Sequence, residues 1–102
     1  MVRVGDLTID KRTLRVRIGG RERTLSAHQF RLLMCLALRA NQLVPIADIG
    51  QAIWGQEKDY SAAAVRVEIH RLRKVIGQSQ NVKINTIVKL GYLLRTLDSL
   101  TP

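Results

Sequence analysis

One stretch of this 102-residue chain is so apolar that it has to lie in the middle of a folded domain. Within residues 30–40 only Arg31 and Arg39 are polar. A helix with that pattern has no polar face to turn toward water, so other elements must surround it. It is also far shorter than the roughly 20 residues that cross a bilayer. Ser26 and Gln29 have the spacing of a capping box, which predicts where this helix begins.

Alternating apolar residues predict an antiparallel sheet on the N-terminal side of that helix. Leu14, Val16 and Ile18 alternate with arginines, so we expect the three apolar side chains on one buried face. The glycine pair at 19–20 accepts the positive φ angles of a two-residue hairpin turn. Further strands are expected at three shorter segments, residues 3–4, 7–9 and 21–25.

The C-terminal half predicts two more helices and a second hairpin. Pro45 suits the first turn of a helix over residues 46–54, which Gly55 ends. Ser61 is placed to cap a third helix over residues 62–76. Residues 82–88 and 92–95 then predict a hairpin with a basic tip, which is the shape of a wing. The sequence therefore predicts one α+β domain over residues 1–102, a winged helix-turn-helix with an N-terminal antiparallel sheet, three helices and a C-terminal β-hairpin wing.

The charge balance narrows the class of binding partner. The chain has 17 Lys and Arg against 8 Asp and Glu, a formal net charge of +9. Such an imbalance in a small domain favours a polyanionic partner, most often nucleic acid. A basic surface that only maintains solubility is the alternative.

The third helix divides into a buried side and a charged side. An apolar stripe at i, i+4, i+7 and i+11 predicts its buried side and comprises Val65, Ile69, Leu72 and Ile76. The opposite side, here called the outward face, begins with small residues and ends in positive charge, in the order Ala63, Ala64, Val67, Arg71 and Lys74. Three polar residues flank it, namely Arg66, His70 and Arg73. Small side chains let a helix enter the DNA major groove closely, where Val67 can touch a thymine methyl and Arg71 can fork onto a guanine.

Catalytic and metal-binding constellations are not predicted. Cys35, His28 and His70 lie on separate helices or faces, with no pairing of a nucleophile and its base. One cysteine and two distant histidines give too few ligands for zinc, so neither metal nor cofactor is expected. We interpret His28 as a surface residue or a neighbour of the helix cap. The lone Cys35 and the lack of an N-terminal apolar segment predict a reduced, cytoplasmic location without membrane contact.

With these features in place, the chain resembles a known family over nearly its whole length. Four segments are similar, in family order, to the C-terminal effector domains of OmpR/PhoB-type response regulators: residues 25–33 (LSAHQFRLL), residues 44–55 with their Ile-Trp-Gly ending, residues 65–74 (VRVEIHRLRK) and residues 86–92 (TIVKLGY). The resemblance implies a third helix in the major groove and a wing at the adjacent minor groove or backbone. It also implies an RNA polymerase contact through the loop from Gly55 to Tyr60, and a dimer on tandem half-sites.

The resemblance has departures. The Ala63-Ala64 pair replaces a common Arg-Thr at the start of the third helix, which removes a phosphate-facing charge. In the wing, Val88 stands where Arg is usual and Lys89 where Gly is common, so the positive charge is displaced by one residue. The target sequence of relatives therefore does not transfer to this chain.

Two further candidates each carry two interpretations. Glu68 stands where the family frequently has a His. Beside DNA it would either accept a hydrogen bond from a cytosine amino group or form an ion pair with Arg71. Trp54 is interpreted as a core residue, with phosphate donation from its indole N–H as the alternative.

The sequence thus predicts a non-enzymatic domain that binds double-stranded DNA sequence-specifically, as the effector of a two-component response regulator. The predicted DNA-contacting residues are Trp54, Ala63, Arg66, Val67, Glu68, His70, Arg71, Arg73, Lys74, Thr86, Lys89 and Tyr92. A protein-interaction module of the same fold is the alternative function, which the net charge argues against. Single-stranded RNA is a weaker alternative, because no surface aromatic platform is evident.

Overall fold

The computed structural model describes residues 1–55, 61–77 and 79–97, and it begins with a four-stranded antiparallel sheet. The strands follow chain order as β1 (Val2–Val4), β2 (Leu7–Asp10), β3 (Arg15–Ile18) and β4 (Arg21–Arg23). Alternate side chains of the two central strands enter the core and are fully or almost fully buried, namely Leu7, Ile9, Val16 and Ile18. The predicted N-terminal sheet is confirmed, although β4 ends at Arg23, two residues before the predicted end.

The prediction for Leu14 is wrong. Its side chain is 66% exposed, and β3 begins only at Arg15. Asp10 pairs with Arg15 across the sheet, so the four residues between them form the turn, and Leu14 adopts a left-handed φ of 60°. The Asp10 carboxylate accepts a hydrogen bond from the backbone N–H of Arg12 at 2.9 Å, which lowers the pKa of Asp10. Turn geometry therefore sets the start of β3, even though the apolar alternation extends one residue further.

The three helices are α1 (Ala27–Ala37), α2 (Ile46–Trp54) and α3 (Ala62–Ile76). The predicted capping box is present, with Ser26 Oγ accepting from the Gln29 backbone N–H at 3.1 Å and the reciprocal bond at 2.9 Å. Helix α1 buries Leu32, Leu33 and Leu36 and packs against both α2 and α3. It is therefore the central helix, as its apolar sequence predicts.

A second, three-stranded sheet closes the domain. It consists of β5 (Val44–Pro45), β6 (Val82–Ile87) and β7 (Gly91–Thr96) in the order β5-β7-β6. The β6–β7 hairpin confirms the predicted wing. Pro45 lies in β5 at the N-cap position of α2, whereas the sequence predicts it in the first turn of that helix. Among the residues that the structure describes, no helix is long and apolar enough to cross a membrane.

Gly91 allows β5 to approach β7. A Cβ atom at position 91 would overlap the backbone carbonyl of Val44, which lies in the neighbouring strand. The side-chain-free residue therefore lets the short strand β5 join the wing sheet beside the start of α2.

Candidate nucleic-acid interface

Helix α3 is held by its cap and by its apolar stripe. The Ser61 Oγ accepts a hydrogen bond from the Ala64 backbone N–H at 3.1 Å. The stripe is buried as predicted and comprises Val65, Ile69, Leu72 and Ile76. These contacts fix the rotation of the helix about its own axis, and so they determine which residues point away from the core.

The outward face of α3 is largely open to solvent. Ala63, Val67, Arg71 and Lys74 are exposed, and Ala64 is half-buried. The apolar side of Val67 is open to contact, since 47% of its surface is exposed. Arg66 and His70 are also exposed. The face therefore combines small or apolar residues in its first half with positive charge in its second half.

An open groove separates the first half of α3 from the wing. It has a volume of about 470 Å³ and is lined by both elements. Ala62 and Arg66 line it from α3, while Thr86, Val88 and Lys89 line it from the hairpin. Lys89 lies in the turn of the hairpin with φ of 66°. The two cations, Arg66 and Lys89, thus belong to the same concave surface.

Arg73 connects α3 to the wing. Its guanidinium donates to the Ile84 carbonyl through two nitrogens, at 2.9 and 3.2 Å, and to the Thr86 hydroxyl at 2.8 Å. It also lies over the ring of Tyr92, 5.9 Å from the ring centroid. Tyr92 itself is buried. Three of the predicted contact residues are therefore joined to one another: Arg73 and Thr86 are exposed, and Tyr92 is buried beneath them.

Glu68 lies beneath the outward face. Among the described residues it is the one charged residue that is buried, with 6% of its surface exposed. One carboxylate oxygen, Oε2, lies 3.4 Å from Arg71 Nη1 and 3.6 Å from His28 Nδ1. The structure therefore contains the Glu68–Arg71 pair that the sequence offered as one of two interpretations. His28 belongs to α1, and no pattern in the sequence indicated that it would meet a residue forty positions later.

Trp54 packs at the junction of α2 and α1. It is partly buried against the hydrophobic core, as its first interpretation predicts. Its ring meets the imidazole of His28 edge-on, with centroids 5.8 Å apart. The loop predicted to contact RNA polymerase begins at Gly55, and its remaining residues, 56–60, lie outside the described residues.

The described part of the chain offers little for catalysis. It holds no group of three His, Cys, Asp or Glu side chains that could bind a metal ion. Cys35 is half-buried, and burial raises the pKa of its thiol above the usual value, so the nucleophilic thiolate is disfavoured. The exposed cations of α3 and the wing are the more prominent chemical feature.

Comparison with known proteins identifies the family. A family model described as "Transcriptional regulatory protein, C terminal" matches residues 20–94, most of the domain from the β3–β4 turn into β7. The chain belongs to this family. The resemblance to OmpR/PhoB-type effector domains is thereby confirmed, and a non-enzymatic transcription regulator domain is the class to which the chain is assigned.

Individual relatives agree with the family. The heme response regulator HssR of Staphylococcus aureus is 30% identical over 90 residues, which are 87% of this chain. The chain spans only 40% of the length of that relative. The DNA-binding domain of Klebsiella pneumoniae RstA, solved in complex with the RstA box, is 31% identical with a TM-score of 0.76, and the match covers 92% of this chain and 95% of that one. The CpxR DNA-binding domain of E. coli, at 21% identity, a TM-score of 0.82 and coverage of 94% and 96%, shares the fold.

Proposed function

We propose that this chain binds double-stranded DNA sequence-specifically, as the DNA-binding domain of a bacterial response regulator. The observation that supports this most strongly is the outward face of α3. It lies opposite a fully packed stripe, begins with small residues and ends in exposed cations. Small residues permit close approach to base edges, and arginine is the side chain that most often reads guanine. The related RstA domain, bound to its DNA box, supports the same partner for this chain.

Within this proposal the predicted residues take different tasks. Ala63, Val67 and Arg71 lie where they meet base edges in the major groove. Arg66 and Lys89, on the two walls of the groove between α3 and the wing, neutralise phosphates of the strand that passes between them. His70 and Lys74 are exposed on α3 and add to the phosphate contacts.

The remaining candidates act through contacts within the domain. Arg73 aligns the wing with α3 through Thr86 and Tyr92, because its donors already bind the hairpin. Glu68 is too buried to accept from a base, so we assign it no direct contact. Trp54 contributes packing against the core.

The wider context is proposed from the family. The chain acts in the cytoplasm as part of a two-component system, and two copies bind tandem half-sites. The loop from Gly55 to Tyr60 contacts RNA polymerase. An alternative partner is a protein that docks on the same fold, and binding to DNA separates the two.

The test is a binding-site selection from a random duplex pool with wild type, Arg71→Ala and Arg71→Lys. We expect wild type to enrich a defined motif that has a guanine in each half-site. The preference for that guanine should disappear in Arg71→Ala. Losing one bidentate pair costs about 1–3 kcal/mol of discrimination. Arg71→Lys should regain affinity but only part of the preference, since an ammonium lacks the planar fork.

Circular dichroism is the folding control. Both variants should stay folded, because the Arg71 side chain is 61% exposed and lies outside the buried stripe. No enriched motif for wild type would favour the protein-interaction alternative. An unchanged motif in Arg71→Ala would mean that another part of α3 reads the bases.

A further inference from the structure

We propose that Glu68 is a positioning residue that sets the base preference of Arg71 by holding its guanidinium from beneath. The inference rests on the proposed function, in which Arg71 reads a guanine. Its own content is that a buried carboxylate, itself contacted by α1, orients the exposed arginine before DNA arrives.

The geometry joins a buried group to an exposed one. The Glu68 side chain is 8% exposed, whereas the Arg71 side chain is 61% exposed. They contact through Glu68 Oε2 and Arg71 Nη1 at 3.4 Å, one helical turn apart. One nitrogen of the guanidinium therefore faces the carboxylate, and donors remain on the rest of the fork.

A residue of α1 lies against the same carboxylate. His28 Nδ1 of α1 lies 3.6 Å from the same Glu68 oxygen, and the His28 ring rests edge-on against Trp54 of α2. Three helices thus meet at this point. A charged group is costly to bury unless it has partners, so the position of Glu68 is tied to these contacts.

This arrangement changes what Arg71 can do in a groove. A free arginine samples many rotamers and can donate to phosphates or to acceptors on several bases. An arginine held by a fixed carboxylate presents its remaining donors in one direction, and the bidentate pattern of guanine requires a fixed direction. Glu68 therefore favours discrimination, while its negative charge lowers affinity for DNA in general.

These two effects make the role separable from simple structural support. Removing the charge should increase affinity for a random duplex and decrease the ratio between the preferred site and a site with the guanine replaced. A residue that only stabilises the fold would, when changed, weaken both sites together. The split between affinity and discrimination is therefore the diagnostic readout.

The experiment compares Glu68→Gln with Glu22→Gln. Both substitutions remove one carboxylate from an ion pair and raise the net charge by one, but Glu22 pairs with Arg15 on the N-terminal sheet, 3.9 Å away. Dissociation constants are measured for the preferred duplex, for the duplex with the Arg71 base pair replaced, and for a random duplex. We expect Glu68→Gln to reduce the preferred-to-replaced ratio by about 2- to 10-fold, in the range of couplings between contacting residues. Glu22→Gln should leave the ratio unchanged.

A double variant assigns the effect to Arg71. In the Arg71→Ala background the discrimination is already lost, so adding Glu68→Gln should not change the ratio again. An unaltered ratio in Glu68→Gln, or an equal loss in both backgrounds, would overturn the inference. If Arg71→Ala itself left the motif unchanged, the proposed role of Arg71 would fail first, and the inference with it.

Folding is checked by thermal unfolding of each variant. Should Glu68→Gln not fold, Glu68→Met replaces it, because Met has a similar length and no polar group to bury. The same loss of ratio is expected from Glu68→Met, and an unchanged ratio overturns the inference in that variant too.

Discussion

Lys89 illustrates how a single side chain at a turn contributes affinity without sequence information. It lies at the tip of the wing, on the wall of the groove opposite Arg66. A lysine ammonium is a point charge that suits a phosphate, and a phosphate contact carries no base information. We therefore expect Lys89→Ala to weaken binding to all duplexes alike and to reduce the salt slope by about one contact.

The matched control is Lys11→Ala, since Lys11 is an exposed lysine in the turn after β2 of the N-terminal sheet. Lys89→Asn repeats the measurement with a residue that tolerates the left-handed φ of the turn. A changed base preference with an intact salt slope would show that the wing tip does not lie on the backbone.

Two residues of α3 show what the sequence alone could not resolve. Arg73 flanks the outward face on the helix wheel, and the family resemblance placed Glu68 beside DNA, so both were expected at the DNA surface. Glu68 is buried and lies 3.6 Å from His28 Nδ1 of α1, and Arg73 donates to the Ile84 carbonyl of β6. Both partners are set by tertiary packing, which the spacing within one helix does not encode.

At the scale of elements, the contact between α3 and the wing depends on Arg73. Its three hydrogen bonds to the hairpin tie the groove-facing helix to the strand that carries the turn. Arg73→Ala removes these donors and should lower the free energy of unfolding by about 1–3 kcal/mol. DNA affinity should fall too, because the wing loses its alignment with α3. Urea denaturation and duplex binding measure the two effects.

Lys74→Ala is the control for that prediction. Lys74 is the next residue, exposed on the outward face. Its removal should change stability by no more than about 0.5 kcal/mol while still weakening DNA binding. Equal stabilities of Arg73→Ala and Lys74→Ala would show that Arg73 does not hold the wing.

The order and type of the main elements could be predicted from local patterns. The capping box at Ser26, the stripe of α3 and the hairpin all follow from residues close in sequence, and the structure contains them. The pairing of Val44 with Tyr92 could not be predicted, because it joins strands separated by two helices. The left-handed Leu14 was missed because apolar alternation does not reveal where a turn ends.

The whole molecule is a small basic domain whose exposed cations lie both on α3 and the wing and on the N-terminal sheet with its turns. Its formal charge of +9 supplies a long-range attraction for any duplex, and the face of α3 adds the preference for one sequence. These two components respond differently to salt. Phosphate contacts are shared by all duplexes, whereas base contacts distinguish them.

The most direct test of the account is the affinity for the selected duplex and for a random duplex, measured across a series of salt concentrations. Log affinity should fall linearly with log salt for both, with a slope of about −0.9 for each phosphate contact and about 4–7 contacts for one domain. The line for the selected duplex should stay above the line for the random duplex throughout. Salt-independent affinity would contradict DNA binding, and coincident lines would contradict sequence reading by α3.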